Sequence, residues 1–321
     1  MIQFFVHREG VTRRVTDFDA AWLEPGSGAT VWIDIRQPAA EDAEFLSRTF
    51  SFHPLAIEDS FQSAHYPKVE TYGNYLYVVL HGIDFKQEEH AFETEDVDFF
   101  LGTNYLVTIH DGRRRSIAEV AELCERNDFA LAEGPVALMH RIVDHMVDHY
   151  RPEVDELEKW LDEIEDSVLT DDRAELTRDI LAVKRDISSM RRVVIPQRDV
   201  VGRLARREFG LIGQEHAYRF RDVYDHLVRL SDEAIMFQDR VTGILDAHLA
   251  SVSNQLASIS KVLAGIAVIF GPLTVVTGLF GMNVTLPRFP GGEHAQFWWI
   301  LGGMLVITAA LFSLFRRRDW L

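Results

Sequence analysis

Two uncharged apolar runs near the C-terminus constrain this chain more than any other feature. Residues 262–282 read VLAGIAVIFGPLTVVTGLFGM, twenty-one positions without a charge, and a bilayer core about 30 Å thick is crossed by roughly 20 such residues in a helix. Residues 297–315 read FWWILGGMLVITAALFSLF. Trp298 and Trp299 stand at one end as interfacial anchors, and Arg316, Arg317 and Arg318 follow the other. Hydrocarbon offers no partner to a backbone amide, so each run is expected as a helix. A buried core helix is the alternative for either run alone, but two in tandem with these flanks read as a membrane hairpin.

The flanks orient the hairpin. Lys261 precedes the first span, Arg316 to Arg318 follow the second, and the connection 283–296 holds only Arg288 and Glu293. The excess of basic residues on one side places both termini in the cytosol and makes the chain a multi-pass protein of the plasma (inner) membrane. The first residues lack the basic and long apolar regions of a secretory signal. Two helices cannot enclose a polar path, so any pore needs several copies around an axis. With 50 acidic against 33 basic residues, a formal charge of −17, the chain is a poor match for a nucleic-acid backbone and a better one for cations. Cys124 is the sole cysteine, which leaves no intrachain disulfide and no cysteine zinc site.

Upstream, residues 1–133 mix strand-like runs (3–7, 30–35, 75–81 and 97–110) with helical ones at 40–50 and 54–60, the latter opening on Pro54. This reads as a cytoplasmic α/β domain. From 134 to 260 a long-helix stalk region is expected: one helix over 136–169, a second from Asp171-Asp172 to 207, a turn at 208–210, and a third from 214 running unbroken into the first span. Residues 261–321 are the transmembrane hairpin with its basic end. No nucleophile stands beside a base and no glycine-rich cofactor loop is present, so an enzyme is not expected; His53, His65 and His81 read as fold or surface residues.

Residues 152–173 hold ten acids against Lys159 and Arg173. They read either as a solvated helix face or as an acidic surface that concentrates divalent cations. In the first span Leu256, Ser260, Leu263, Ala267, Gly271, Thr274 and Gly278 recur at steps of three or four and share one mostly small or hydroxylated face. Close helix packing and a pore lining both use such a face. Pro272 leaves the carbonyl of Val268 without its helical donor. The span closes on Gly281-Met282-Asn283.

These residues carry a resemblance. The segment 261–283, with Gly271-Pro272-Leu273-Thr274 and Gly278-Leu279-Phe280-Gly281-Met282-Asn283 before a short loop, a second span and a basic end, resembles the CorA family of divalent-cation transporters. His53-Pro54-Leu55-Ala56-Ile57-Glu58-Asp59, Pro67-Lys68-Val69-Glu70, residues 191–196 and residues 221–226 look like further segments of that family. The resemblance implies a homopentameric funnel with five copies of the first span around a pore. Gly281, Met282 and Asn283 would be the selectivity filter, Asn283 carbonyls bonding the waters of an ion that dehydrates reluctantly; a backbone-capping Asn283 is the plainer alternative. It also implies regulation by Mg²⁺ between subunits, through Asp246 on the stalk and Glu88 or Glu89 of a neighbour, and a basic ring of Lys261, Arg316, Arg317 and Arg318. Asp246 as an ordinary exposed acid is the alternative there.

Ala257, Ser260 and Gly271 depart from the family's common residues, so the inner gate is expected either to be wider than the family's or to sit at Leu263 or Leu256. The outer loop, Pro287-Arg288-Phe289-Pro290-Gly291-Gly292-Glu293, looks more like the zinc-transporting branch. The expected function is therefore potential-driven uptake of divalent cations, Mg²⁺ foremost and Co²⁺ or Ni²⁺ besides, with Mg²⁺ as substrate and regulatory ligand and no catalytic cofactor. A Zn²⁺ transporter of the same architecture, with or without proton coupling, and a membrane-anchored metal sensor are the alternatives.

Overall fold

The computed structural model describes residues 1–62, 66–86, 91–112, 115–170, 174–282 and 292–317. Contacts divide the chain into units Met1–Leu245 and Asp246–Leu321. Among the described residues of the first unit, seven strands form one sheet: β1 (Ile2–Arg8), β2 (Val11–Val15), β3 (Thr30–Arg36), β4 (Lys68–Tyr72), β5 (Tyr75–Lys86), β6 (Ala91–Leu101) and β7 (Tyr105–His110). The order is β2-β1-β3-β7-β6-β5-β4. Only β3 and β7 run parallel; the remaining neighbours are antiparallel. The run expected as one strand over 97–110 is two, folded back at Gly102. A β-carbon there would fall 2.3 Å from the Tyr105 ring, so only glycine fits the turn. The β1–β2 hairpin turns through Glu9 and Gly10, both at positive φ (51° and 82°), the two-residue geometry that suits the twist of paired strands.

Alternation along the strands builds two cores. Phe4, Val6, Val31, Ile33, Ile35, Tyr77, Phe100 and Val107 face one side. They meet α1 (Ala40–Phe50) and α2 (Pro54–Ser60), whose bounds match the expected ones. Phe52 stacks on Phe100 at 4.3 Å and on Phe50 at 5.0 Å. His53 caps α2 by accepting from the Leu55 amide at 3.2 Å. Phe5, Trp32, Val78, Phe99 and Leu106 face the other side and join a larger core built by the helices.

Those helices are α3 (Arg115–Arg126), α4 (Phe129–Ala132), α5 (Pro135–Asp148), α6 (Tyr150–Thr170), α7 (Ala174–Ala205) and α8 (Gln214–Phe280). The helix expected over 136–169 is thus broken at His149. Pro152 lacks the amide that would bond the Asp148 carbonyl, and its ring crowds that position, so the chain restarts as α6. Buried residues along α7 (Ile180, Val183, Ile187, Met190, Val194, Val201, Leu204) and α8 (Phe220, Val223, Leu227, Leu230, Ala234, Phe237, Val241, Ile244) alternate steps of three and four. A mean period near 3.5 is the signature of helices that pack at a shallow angle along their length.

Two buried polar clusters tie sheet to helices and strand to strand. Beyond Val79, the last β5 residue paired with β4, the His81 amide donates to Gln197 Oε1 at 2.8 Å. Gln197 Nε2 donates to the Tyr150 hydroxyl at 2.5 Å, and that hydroxyl donates to the His81 carbonyl. The edge of β5 is thereby closed by α6 and α7. Asp34, fully buried, accepts from Thr108 at 2.7 Å, His110 at 3.0 Å and Arg36 at 2.9 Å. Burial pushes its pKa up, but the hydrogen bonds and charge of His110, with Thr108 and Arg36, outweigh that and hold it below the usual carboxylate range.

Asp98 is the opposite case. Burial raises it to about 7, against the hydrogen bond from Tyr77 at 2.5 Å and with Asp96 adding to the rise. A carboxyl whose folded pKa exceeds its unfolded one contributes stability at low pH, and that contribution is lost as pH rises from about 4 toward 7. Asp98→Asn is therefore expected to melt above the parent protein at pH 8, by an amount that shrinks at pH 5, with a free-energy gap on the order of a few kcal/mol. Thermal unfolding of both proteins across that range checks it. In the same assay Tyr150→Phe, which strands two buried partners, is expected to cost about 1–3 kcal/mol.

Candidate functional site

Helix α8 spans 67 residues, about 100 Å at 1.5 Å per residue. It continues through Pro272 without a break. The neighbouring turn is reinforced by side chains: Thr274 Oγ1 donates to the Phe270 carbonyl at 2.9 Å and Thr277 Oγ1 to the Thr274 carbonyl at 3.0 Å. Its last part, and α9 (Gly292–Arg317), are long and apolar enough to cross a membrane, and almost none of their apolar windows is buried within the chain.

Within this second unit the faces of α8 differ. Leu256, Ser260, Leu263, Ala267, Gly271, Thr274 and Gly278 are all exposed. Gly265, Ile269, Leu273, Val276 and Phe280 are at least partly covered. At 100° per residue the two sets lie on opposite sides of the helix. The stripe is thus uncovered, as are the bulky Val262, Ile266, Val268, Phe270, Val275 and Leu279 elsewhere on the helix. A β-carbon added at Gly265, Gly271 or Gly278 would meet nothing within 4 Å; at Gly271 and Gly278, on the stripe, smallness serves no packing inside one chain. At Gly281 the same atom would come 3.0 Å from the Thr277 carbonyl, which the Gly281 amide already bonds at 2.9 Å.

Gly281 and Met282 form the turn that leaves α8, whereas Asn283 lies outside the described residues. Asp246 is exposed on α8; Glu88 and Glu89, the expected acids of a neighbouring copy, lie outside the described residues. Among the described residues no group of three or more His, Cys, Asp or Glu side chains could hold a metal ion. Lys261 is partly covered on α8, and Arg316 and Arg317 are exposed at the end of α9; Arg318 lies outside the described residues, as does His65. Asp34 and Asp98 escaped sequence reasoning. Their signal was an acid inside otherwise apolar strands, VWIDI and VDFF, where burial leaves a carboxylate no option but a partner or a shifted pKa.

Residues 27–317 match the family model of the CorA-like Mg²⁺ transporter protein. The chain belongs to the CorA family. The cobalt/magnesium transport protein CorA of Thermotoga maritima is 30% identical over 314 residues, covering 96% of this chain and 88% of that one. Among solved structures, the CorA magnesium transporter from Methanocaldococcus jannaschii superposes with a TM-score of 0.85 at 22% identity, over 100% of this chain and 99% of the other. The cytoplasmic domain of ZntB from Vibrio parahaemolyticus matches with a TM-score of 0.64 at 13% identity, over 78% of this chain and 98% of that domain. The fold is that of CorA: a cytoplasmic-type α/β sheet domain, a long helix and two apolar helices. The protein is a membrane protein and a transporter of divalent metal ions, in a family of transporters rather than enzymes.

The open stripe makes a specific expectation for this CorA-family transporter. Gly278→Leu, at a position where an added β-carbon meets nothing within 4 Å, is expected to leave the helix content and melting temperature of the detergent-solubilised protein unchanged. Metal uptake into proteoliposomes is expected to fall at least about tenfold, since a bulky group then occupies a close-packed or conducting face.

Proposed function

We propose that five copies assemble around an axis with the stripe of Leu256, Ser260, Leu263, Ala267, Gly271, Thr274 and Gly278 facing the conducting path, and that the ion conducted is chiefly Mg²⁺, with Co²⁺ or Ni²⁺ also admitted. The observation that carries this reading is the uncovered stripe of mostly small or hydroxylated residues on α8, opposite the side on which Gly265, Ile269, Leu273, Val276 and Phe280 are at least partly covered. A polar path needs a wall that lipid does not touch, and a single chain supplies no second wall. Gly281, Met282 and Asn283 form the outer filter on this reading. Amide carbonyls there bond the water shell of a hard cation that dehydrates reluctantly, with no carboxylate to trap it.

Both termini lie in the cytosol, with Lys261 and Arg316 to Arg318 at the inner surface. The membrane potential supplies about 2.3 kcal/mol per charge per 100 mV, hence roughly 4.6 for a divalent ion, which suffices for uptake. Mg²⁺ bound between Asp246 and Glu88 or Glu89 of a neighbouring copy cancels repulsion between acids and holds the path shut; its loss shifts the population toward the open state. Zinc is disfavoured because neither span holds the imidazole or thiolate that selects it.

Flux into proteoliposomes under an inside-negative potential tests the proposal. Mg²⁺ entry without a pH gradient, reduced at least about tenfold by Asn283→Ala and made less sensitive to internal Mg²⁺ by Asp246→Asn, is the expected result. Entry of Zn²⁺ alone, dependent on a pH gradient, overturns the Mg²⁺ assignment, and absence of any flux from pentamers overturns the channel.

A further inference from the structure

Strands β3 and β7 are parallel neighbours, yet the chain leaves them in opposite directions. Beyond β3 it forms α1, whose Leu46 packs in the core on one face of the sheet. Beyond β7 it forms α3, whose Ile117 and Val120 pack in the core on the other face. Such a divergence opens a crevice outside the carboxyl ends of the two strands, which is where open α/β sheets take their ligands. Here the crevice is a cavity of about 290 Å³, close to the lower end of the roughly 300–1,000 Å³ of small-molecule sites. Pro38, just past β3, and Ile109 and Asp111, where β7 ends, line it together with the end of α2 and part of β6.

The lining is chemically one-sided. Thr94, Asp96 and Asp98 border the cavity and, standing two apart on β6, share one face of that strand; Asp111 adds a third carboxyl. No Lys or Arg lines the cavity among the described residues. Lining donors are spent elsewhere: Ser60 Oγ on the Ile57 carbonyl at 2.9 Å and Gln62 Nε2 on Glu58 at 3.1 Å. The His110 ring is held between Asp34 at 3.0 Å and the Gly112 amide at 3.1 Å.

Asp98 is the group that calls for an occupant. It is only 5% exposed. Tyr77 bonds its Oδ1 at 2.5 Å, whereas Oδ2 makes no hydrogen bond among the described residues. Asp34, buried as deeply, has three donors. Lys68, the nearby cation, is taken by Asp59 at 2.5 Å. A carboxylate withdrawn from water is costly unless donors or an opposite charge answer it. A directly bound metal is a poor match, because the oxygens around Mg²⁺ must converge to about 3 Å from one another, and no three acids or histidines among the described residues could hold an ion. An ammonium group donates over bonds of about 2.8 Å and so serves acceptors about 4.5 Å apart.

We propose that this cavity binds a small organic cation through a primary ammonium group, which donates to Asp98 Oδ2 and to Asp96 or Asp111 while its carbon chain lies along Pro38, Phe61 and Ile109. The site lies within the first unit, and its existence does not depend on the pore reading.

Isothermal titration of the full-length protein in detergent with 1,4-diaminobutane, and separately with tetramethylammonium, tests it at pH 8, where Asp98 is ionised. Saturable binding of the diamine, one per chain, is expected. Tetramethylammonium carries the charge without an N–H and is expected to bind at least about tenfold more weakly. Asp98→Asn, which is expected to be the more stable protein at this pH, is expected to bind the diamine about tenfold or more weakly. Glu158→Gln, exposed on the acidic face of α6, is expected to leave the affinity unchanged, which separates the cavity from a general attraction to an acidic chain. No saturable binding of the diamine, equal binding of tetramethylammonium, unaltered affinity in Asp98→Asn, or an equal loss in Glu158→Gln overturns the site.

Discussion

The seam that runs along α7 and α8 is the interaction on which the rest of this structure depends. Apolar residues at alternating steps of three and four, from Phe220 to Ile244 on α8 and from Ile180 to Leu204 on α7, keep the same faces together for many turns. Within a protein most helical stability comes from the tertiary packing of an apolar face rather than from helix propensity. The seam therefore lets one backbone ladder extend from Gln214 to Phe280. Where Ile244 ends the seam, the chain also divides into its two units. Beyond that point, among the described residues, no buried core of comparable extent supports α8, and most of its apolar residues from Leu256 onward stand exposed, as those of a helix destined for lipid or for other copies do.

The sheet domain is tied to this seam by polar contacts as much as by apolar ones. The His81–Gln197–Tyr150 circuit closes a strand edge that would otherwise present unpaired amide and carbonyl groups. The Asp34 cluster joins β3 and β7 across the only parallel pairing among the described strands. A carboxylate in that position is tolerable because three donors surround it. Asp98, with one phenol donor and another acid nearby, cannot be ionised as cheaply. The two carboxyl groups illustrate how the same residue type, buried to a similar degree, moves in opposite directions according to its partners.

In the membrane-type unit the informative observation is an asymmetry. A face that lacks side-chain bulk is normally explained by a close neighbour, and within one chain Gly271 and Gly278 have none. Family membership in CorA makes sense of that asymmetry without being needed to see it. Conversely, a helix lined on all sides by bulky residues would have argued for an anchor alone.

The two spans, their basic flanks, the small-residue stripe and the Gly281-Met282 ending were legible in the sequence, because lipid imposes length, charge and side-chain size directly on consecutive residues. Helices α1 and α2 were legible for a similar reason: Pro54 and local periodicity are short-range signals. The break at His149 was not foreseen, although Pro152 marked it, since a strong apolar period on both sides masked a local backbone conflict. Strand β4, the separation of β6 from β7 and the order of the sheet were decided only in three dimensions, by pairings between residues far apart in the chain. The same holds for Asp34 and Asp98. Sequence names a charged residue; only its neighbours in the fold determine whether that charge is compensated or suppressed.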